Sequence, residues 1–332
     1  MTDQVVAGLP TAGPLSAAPL PAPAHLADPD RHMLRTPGLQ RAQRLHVLLT
    51  VWLPLLLLVL GPLYLPKQID VGLAVVSFML VTAFVGCLGI SVGFHRHFAH
   101  RAFRAAPWVR ALMAVAGQMA GQGPVLYWAA LHRRHHAFSD QPGDPHSPAL
   151  RAHSAGVTRW QAFRHSQFTW PTHHAVPMPG RYVPDLLADP LIRRINSLYY
   201  PCMLASYALP TLMGWAWTGT VAGAIVGFYF GAVVRMVVST QTIMSINSVC
   251  HSFGSRPFNT GDFSTNNPWL AWITFGECWH NNHHHAPTHA RFGHSWLQPD
   301  PGWWTIWVMA RLGLAWDVLG ENLTAAQRGQ RA

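Results

Sequence analysis

The sequence predicts an all-α membrane protein in which four transmembrane helices carry a cytoplasmic helical cap holding a histidine-rich di-metal centre. Three observations lead there. Half of the 332 residues are hydrophobic and only 11% are charged, against about 25% in an ordinary soluble domain. Four apolar runs are long enough to cross a bilayer, which takes about 20 residues. Nine of the 21 histidines gather in four short groups, all on one side of those runs.

Residues 1–40, which include "LPTAGPLSAAPLPAPAHLADPD", show no apolar period and predict a disordered tail without a signal-peptide pattern. A single domain is expected over 41–320, followed by a C-terminal tail at 321–332. The first span, 46–65, "HVLLTVWLPLLLLVLGPLYL", contains no Asp, Glu, Lys or Arg. The second is expected at 71–94, the third at 198–217 and the fourth at 220–246. Residues 107–129, with Arg110 and Gln118 inside, predict a helix on the membrane surface. Residues 302–316, "GWWTIWVMARLGLAW", predict another, with tryptophans at head-group level. Core helices of a soluble protein would not leave such a run uncharged.

Orientation follows from arginine. The links 66–70 and 218–219 hold one basic residue, Lys67, whereas Arg31, Arg35, Arg41 and Arg44 precede the first span and 95–197 is arginine-rich. The positive-inside rule places both termini and the cap (95–197 and 247–320) in the cytoplasm. The formal net charge of +10 points to anionic lipid head groups. It does not point to nucleic acid, because no binding motif or basic helical run accompanies it. Cys87, Cys202, Cys250 and Cys278 form no CxxC pair and read as buried apolar residues.

The histidine groups are "GFHRHFAHR" (His95, His100), "LHRRHHAFSD" (His132, His135, His136), "INSVCHSFG" (His251, with Asn247 four residues before it) and "CWHNNHHHAP" (His280, His283, His284). On a helix, HxxHH puts three imidazoles on one stripe, and NxxxH does the same for its pair. His95 and His100 sit roughly 140° apart on an ideal helix. Either the helix loosens between them or they address different metals. Nine imidazoles exceed the needs of one ion and suit two, and neutral imidazole suits iron, copper, zinc or nickel. The carboxylate-bridged di-iron site is excluded by counting, since it needs about four glutamates and the chain has two, Glu277 and Glu321. His97 and His285 lie out of helical phase and are expected outside the ligand set. His25, His32, His46, His153, His173 and His174 read as ordinary histidines.

These elements resemble the membrane fatty acyl desaturases of the stearoyl-CoA desaturase type. "HRHFAH", "HRRHH", "NSVCH" and "HNNHH" match in type and order, joined by "DPHSP", "GECWHNNHH" and Arg235 inside the last span. The match runs from about residue 46 to 318. It implies a mushroom-shaped protein with two irons, in a bacterial member residing in the inner membrane. It also implies O2-dependent removal of two hydrogens from an acyl chain, giving a cis double bond most often between carbons 9 and 10. The ligands it implies are His95, His100, His132, His135, His136, His251, His280, His283 and His284, with Asn247 acting through a water. Asp144, Glu277 and Asp140 are the carboxylates expected to fix the ring tautomers.

Where animal enzymes carry an Arg-Asp pair that grips CoA, this chain has Ala130 and Leu131, so CoA, acyl carrier protein and phospholipid all stand as acyl carriers. Met244 occupies a position where Trp is common. Ala83 and Cys87 are expected near the methyl end of an acyl tunnel. Arg235 either faces polar groups near that tunnel or braces helix packing through carbonyls. Electrons must come from a separate ferredoxin-, rubredoxin- or cytochrome b5-like carrier. Arg96, Arg101, Arg104, Arg133 and Arg134 are available to dock it or to contact lipid. The competing reading is a di-iron hydroxylase of alkyl, lipid or carotenoid substrates, against which the NxxxH and HNNHH elements speak. A metal transporter would place ligands at the bilayer midplane, and a metalloprotease would show HExxH.

Overall fold

A computed structural model describes residues 30–65, 72–149, 154–172 and 174–320. Residues 1–29, the link at 66–71 with Lys67, His153, His173 and the tail from 321 lie outside the described residues. Among the described residues, shorter helices such as Arg159–Arg164 connect those that position the site. The positioning helices are α1 (Pro37–Leu63), α2 (Leu73–Leu88, continuing through Gly89–Ala99), α3 (Pro107–Met119), α4 (Val125–Phe138), α5 (Pro190–Ser197), α6 (Tyr199–Thr218), α7 (Val221–Ser248), α8 (His280–His285) and α9 (Pro301–Arg311).

Among the described residues three helices are both long and apolar enough to cross a membrane. They are α1, Val76–Ala99 of α2, and α7, with mean hydropathies of 2.1, 2.1 and 2.0. The expected third span is α6, a 20-residue helix made less apolar by Tyr199, Tyr200, Tyr207, Trp215 and Trp217. Large apolar side chains stand exposed along these helices, among them Val59, Leu63, Leu80, Leu204 and Leu212. Contiguous apolar surface on this scale marks a partner or a membrane.

The structure corrects two expectations. Residues 30–40 are ordered where a disordered tail was expected. Met33–Leu34 pairs antiparallel with Val176–Pro177, and Thr36 caps α1 by accepting from the Leu39 amide, which starts the helix nine residues before the apolar run. Nor do residues 107–129 form one surface helix. Gly121 (φ 75°) and Gly123 (φ 100°) take left-handed conformations ahead of Pro124, ending α3 and starting α4. That break lets the second histidine group turn inward.

Close backbone approach holds the spans together. A Cβ at Gly89 of α2 would lie 2.3 Å from the Gly117 nitrogen of α3. Gly223, Gly227 and Gly231 form a stripe along α7 against Pro210 and Gly214 of α6, where a Cβ on Gly227 would lie 2.2 Å from the Pro210 carbonyl. Small residues at this spacing are how apolar helices pack without a hydrophobic driving force between them. Arg235, buried in α7, donates to the carbonyls of Gly231, Met119 and Ser206 at 3.0, 3.3 and 3.4 Å. One guanidinium thus ties α7 to α6 and to the end of α3. The core of the cap is formed by Phe94, Phe98, Phe103, Ala129, Ile192 and Ile306, buried where α2, α4, α5 and α9 meet.

Gly227→Leu should separate α6 from α7 and lower stability by roughly 1–3 kcal/mol or more. The check is thermal unfolding of the detergent-solubilised protein, where an unchanged midpoint would contradict this packing.

Candidate metal centre

The π-helical continuation of α2 resolves the placement of the first histidine pair. The His100 amide donates to the His95 carbonyl at 3.0 Å, an i→i+5 bond that widens the turn. His95 and His100 thereby reach the same site. The helix loosens between them, and both rings fall in one histidine group.

The nine expected histidines converge and divide. His95, His100, His132, His136 and His283 form one group, and His135, His251, His280 and His284 form the other, with the candidate ligand atoms of each group within 4.8 Å of one another. Each HxxHH stripe is split between the two groups. On α4 the i, i+4 pair His132/His136 joins the first group and His135 the second. On α8 the pair His280/His284 joins the second and His283 the first. Sharing a helix face is a coarser condition than sharing a metal, because positions i+3 and i+4 lean to opposite sides of position i.

Distances within the groups suit metal ligation. The Nε2–Nε2 separations are 2.8 Å for His100–His132, 2.9 Å for His136–His283, and 3.0 Å for His95–His283, His132–His136 and His251–His280. Imidazole nitrogens at right angles around an ion, each about 2.0–2.1 Å from it, lie about 2.9 Å apart, whereas a tetrahedral ion spreads them to about 3.4 Å. The separations above are short enough for neighbouring rings of a group to share one ion.

Buried carboxylates orient the rings. Asp144 accepts from His135 Nδ1 at 3.0 Å, Asp140 from His251 Nδ1 at 2.9 Å, and Asp262 from His284 Nδ1 at 2.7 Å. Glu277 is bonded to His95 Nδ1. Protonating Nδ1 leaves the Nε2 lone pair facing inward. The Nε2 atoms of His135 and His284 are buried without a hydrogen-bond partner, a costly arrangement that a bound cation relieves.

The charge states agree. Burial first, then repulsion among the rings, holds His100, His132, His136, His280 and His283 well below the ordinary histidine value, so all five are neutral donors at pH 7. Burial also acts against charge on His251, but Asp140 outweighs it and raises this group to about 8. Burial alone would raise Asp144, Asp262 and Glu277. Their histidine partners, with Arg96 beside Glu277, hold all three below the usual carboxylate range.

Three participants carried no signal in the spacing. Asp262 supports His284 and is itself held by Thr260 Oγ1 at 2.7 Å and the Ser264 amide at 2.9 Å. His146, from "DPHSP", is buried with its ring 4.5 Å from His135 and is pushed down to about 3, chiefly by burial. Arg96 corrects an expectation: it is fully buried and so neither docks a carrier nor meets lipid. It bonds Glu277 and Asp300 at 2.6 and 2.8 Å and lies over the Phe292 ring. Arg134 is likewise buried, donating to the Gly143 carbonyl, and Arg133 is clasped by Asp185. Arg101 and Arg104 remain largely exposed. His97 points away, bonded to the Phe103 carbonyl, and His285 is exposed and stacked on Phe258.

A cavity of about 70 Å³ adjoins the first group. Its lining includes His132, Asn247, Met244, Ile243, Trp128 and Leu131, and His46, Tyr127 and Pro171 are shared with an outer cavity of about 270 Å³. Ala83, Cys87 and Arg235 are not among the inner cavity's lining residues. The first two lie half-buried on α2, and Arg235 is turned into its carbonyls.

Residues 71–300 match the fatty acid desaturase family model. The chain is 41% identical over 253 residues to a hex-5-enoyl-[acyl-carrier protein] acetylenase of Moorena producens, covering 76% of this chain and 77% of that protein. It is 35% identical over 241 residues to an acyl-CoA C20 Delta5-desaturase of Anemone leveillei (71% and 70%). It is 33% identical over 249 residues to an sn-1 stearoyl-lipid 9-desaturase of Synechocystis (75% and 71%).

Metal analysis of the purified chain should return two ions per chain. Asp262→Asn should weaken metal retention against a chelator by about 10–100-fold, while unaltered retention would remove Asp262 from the site.

Proposed function

The chain belongs to the fatty acid desaturase family and is an oxidoreductase acting on fatty acyl chains, and on that premise we propose that it uses two irons and O2 to place a cis double bond in a saturated acyl chain, between carbons 9 and 10. The observation that carries this reading is the five-and-four division of nine inward-facing imidazoles beside a cavity lined in part by Trp128, Leu131, Ile243 and Met244. A methylene C–H bond offers no acidic proton, so the oxidising power has to come from the metals. In the balance, one O2, two substrate hydrogens, two external electrons and two protons give the alkene and two waters.

The protein's own residues supply position. Trp128, Leu131, Ile243 and Met244 exclude water beside His132, and Asn247, which lines the same cavity, would hold one iron through a water. Regioselectivity comes from how far the chain slides before it stops, and Ala83 and Cys87 form the proposed stop for its methyl end. Ala130 and Leu131 are buried and apolar, so these positions offer no grip to the phosphates of CoA. This supports a phospholipid or acyl carrier protein as the carrier.

In this reading α6 also crosses the membrane, as the third of four spans. Its 20 residues rise about 30 Å, the thickness of the hydrocarbon core. The cap and both termini face the cytoplasm of a bacterial cell, and a separate ferredoxin-, rubredoxin- or cytochrome b5-like protein supplies electrons. A second reading draws on the acetylenase relative: the same removal of two hydrogens, applied to a chain already unsaturated, gives a triple bond.

The test is expression in a host without its own desaturase, followed by mass spectrometry of the fatty acids with double-bond location. A monoene lighter by two hydrogens supports the proposal. An alkyne supports the second reading, and a product heavier by one oxygen would overturn both in favour of a hydroxylase. Ala83→Trp should shift the product profile toward shorter chains, while an unchanged chain-length profile would locate the stop elsewhere.

A further inference from the structure

A second opening reaches the metal centre from a different side. Where the substrate cavity adjoins His132 of the first group, an open cleft of about 530 Å³ adjoins His251 of the second. Its walls are aromatic. Trp160 stacks on Phe163 with ring centroids 5.9 Å apart, and Phe163 meets Phe253 at 6.2 Å. Trp160 and Phe253 are 68% and 60% exposed, and Phe263 completes the lining.

The membrane does not account for this exposed patch. α7 has 28 residues, a rise of about 42 Å against a hydrocarbon core of about 30 Å. With the short α6–α7 turn at one face, Ser248 stands about 12 Å clear of the core at the other, and His251 and Phe253 lie beyond it.

The one exposed charge in the lining of the cleft is basic. All nine described carboxylates are already paired with arginine or histidine. Arg159 lines the cleft, is exposed and has no acidic partner among the described residues. Arg256 stands over the Phe263 ring. The result is an apolar aromatic centre with a basic rim, opening onto one ring of the second histidine group.

We propose that this cleft docks a small acidic one-electron carrier protein of ferredoxin chemistry. The proposal rests on the desaturase reading, which requires two electrons from outside for each double bond. Each docking event oxidises the carrier by one electron, and two events complete the reduction of one O2 to two waters. Substrate and electrons then approach different histidine groups, so the acyl chain stays in place while the carrier exchanges. Aromatic centres with charged rims suit transient partners, in which steering sets the association rate and the apolar core holds the pose.

The experiment measures binding of an acidic [2Fe–2S] ferredoxin to the full-length, metal-loaded protein in nanodiscs by biolayer interferometry. Binding at about 20 mM salt should weaken about tenfold at about 300 mM. Arg159→Glu and Trp160→Ala, both at exposed positions, should each weaken it about fivefold or more, whereas Arg311→Glu on α9 should bind as the wild type does. Wild-type affinity in the cleft variants, or equal loss in all three, would overturn the proposal. So would absence of ferredoxin binding together with cleft-dependent attachment to anionic phospholipid vesicles, which would assign the patch to lipid. Because binding is read without turnover, a chain that binds through the cleft yet makes no unsaturated product would refute only the desaturase reading.

Discussion

One electrostatic constraint governs the site: nine imidazoles turn their Nε2 atoms into two small buried volumes, where charge on one ring is opposed by burial and by its neighbours. The groups lie within 4.8 Å, and burial keeps most of their members unprotonated. Such a cluster survives only if its outer atoms are firmly held. Asp140, Asp144, Asp262 and Glu277 do this at Nδ1, each a buried charge that is tolerable because it is paired and hydrogen-bonded. Arg96 extends the network outward. It neutralises Glu277 and joins it to Asp300, which accepts from the Phe292 and Trp303 amides and so ties the start of α9 to the metal centre.

Helix geometry then distributes the rings. A widened turn in α2 brings His95 and His100 together, while α4 and α8 each contribute an i, i+4 pair to one group and one ring to the other. Because both helices supply both groups, neither group can move without the other. The spans act as a rigid base for this exchange. Glycine contacts between α6 and α7, and the Arg235 bridge to neighbouring carbonyls, hold the helix whose end delivers His251.

The apolar character of the chain has two uses. On the outside it faces the membrane. Inside it forms walls of Trp128, Leu131, Ile243 and Met244 beside His132, where an alkyl chain needs no hydrogen-bonding partner. Burial keeps the carboxylate–imidazole pairs dry, so they are stronger than they would be in solvent.

The sequence by itself determined the long apolar helices and the nine imidazoles that gather, because hydropathy and helical spacing are local properties that survive without a fold. It also contained Glu277, Asp144 and Asp140, which stand within a few residues of a histidine group. Only the tertiary structure decided how the stripes divide, since a stripe has no marker for which of two neighbouring sites each ring enters. Asp262 and Arg96 became legible only there as well. An acid in a loop and an arginine between histidines look solvent-facing until contacts more than 20 and 180 residues away bury them. The break at Gly121–Pro124 belongs to the same class: its residues signal a turn, but only packing shows that the turn aims α4 at the metals.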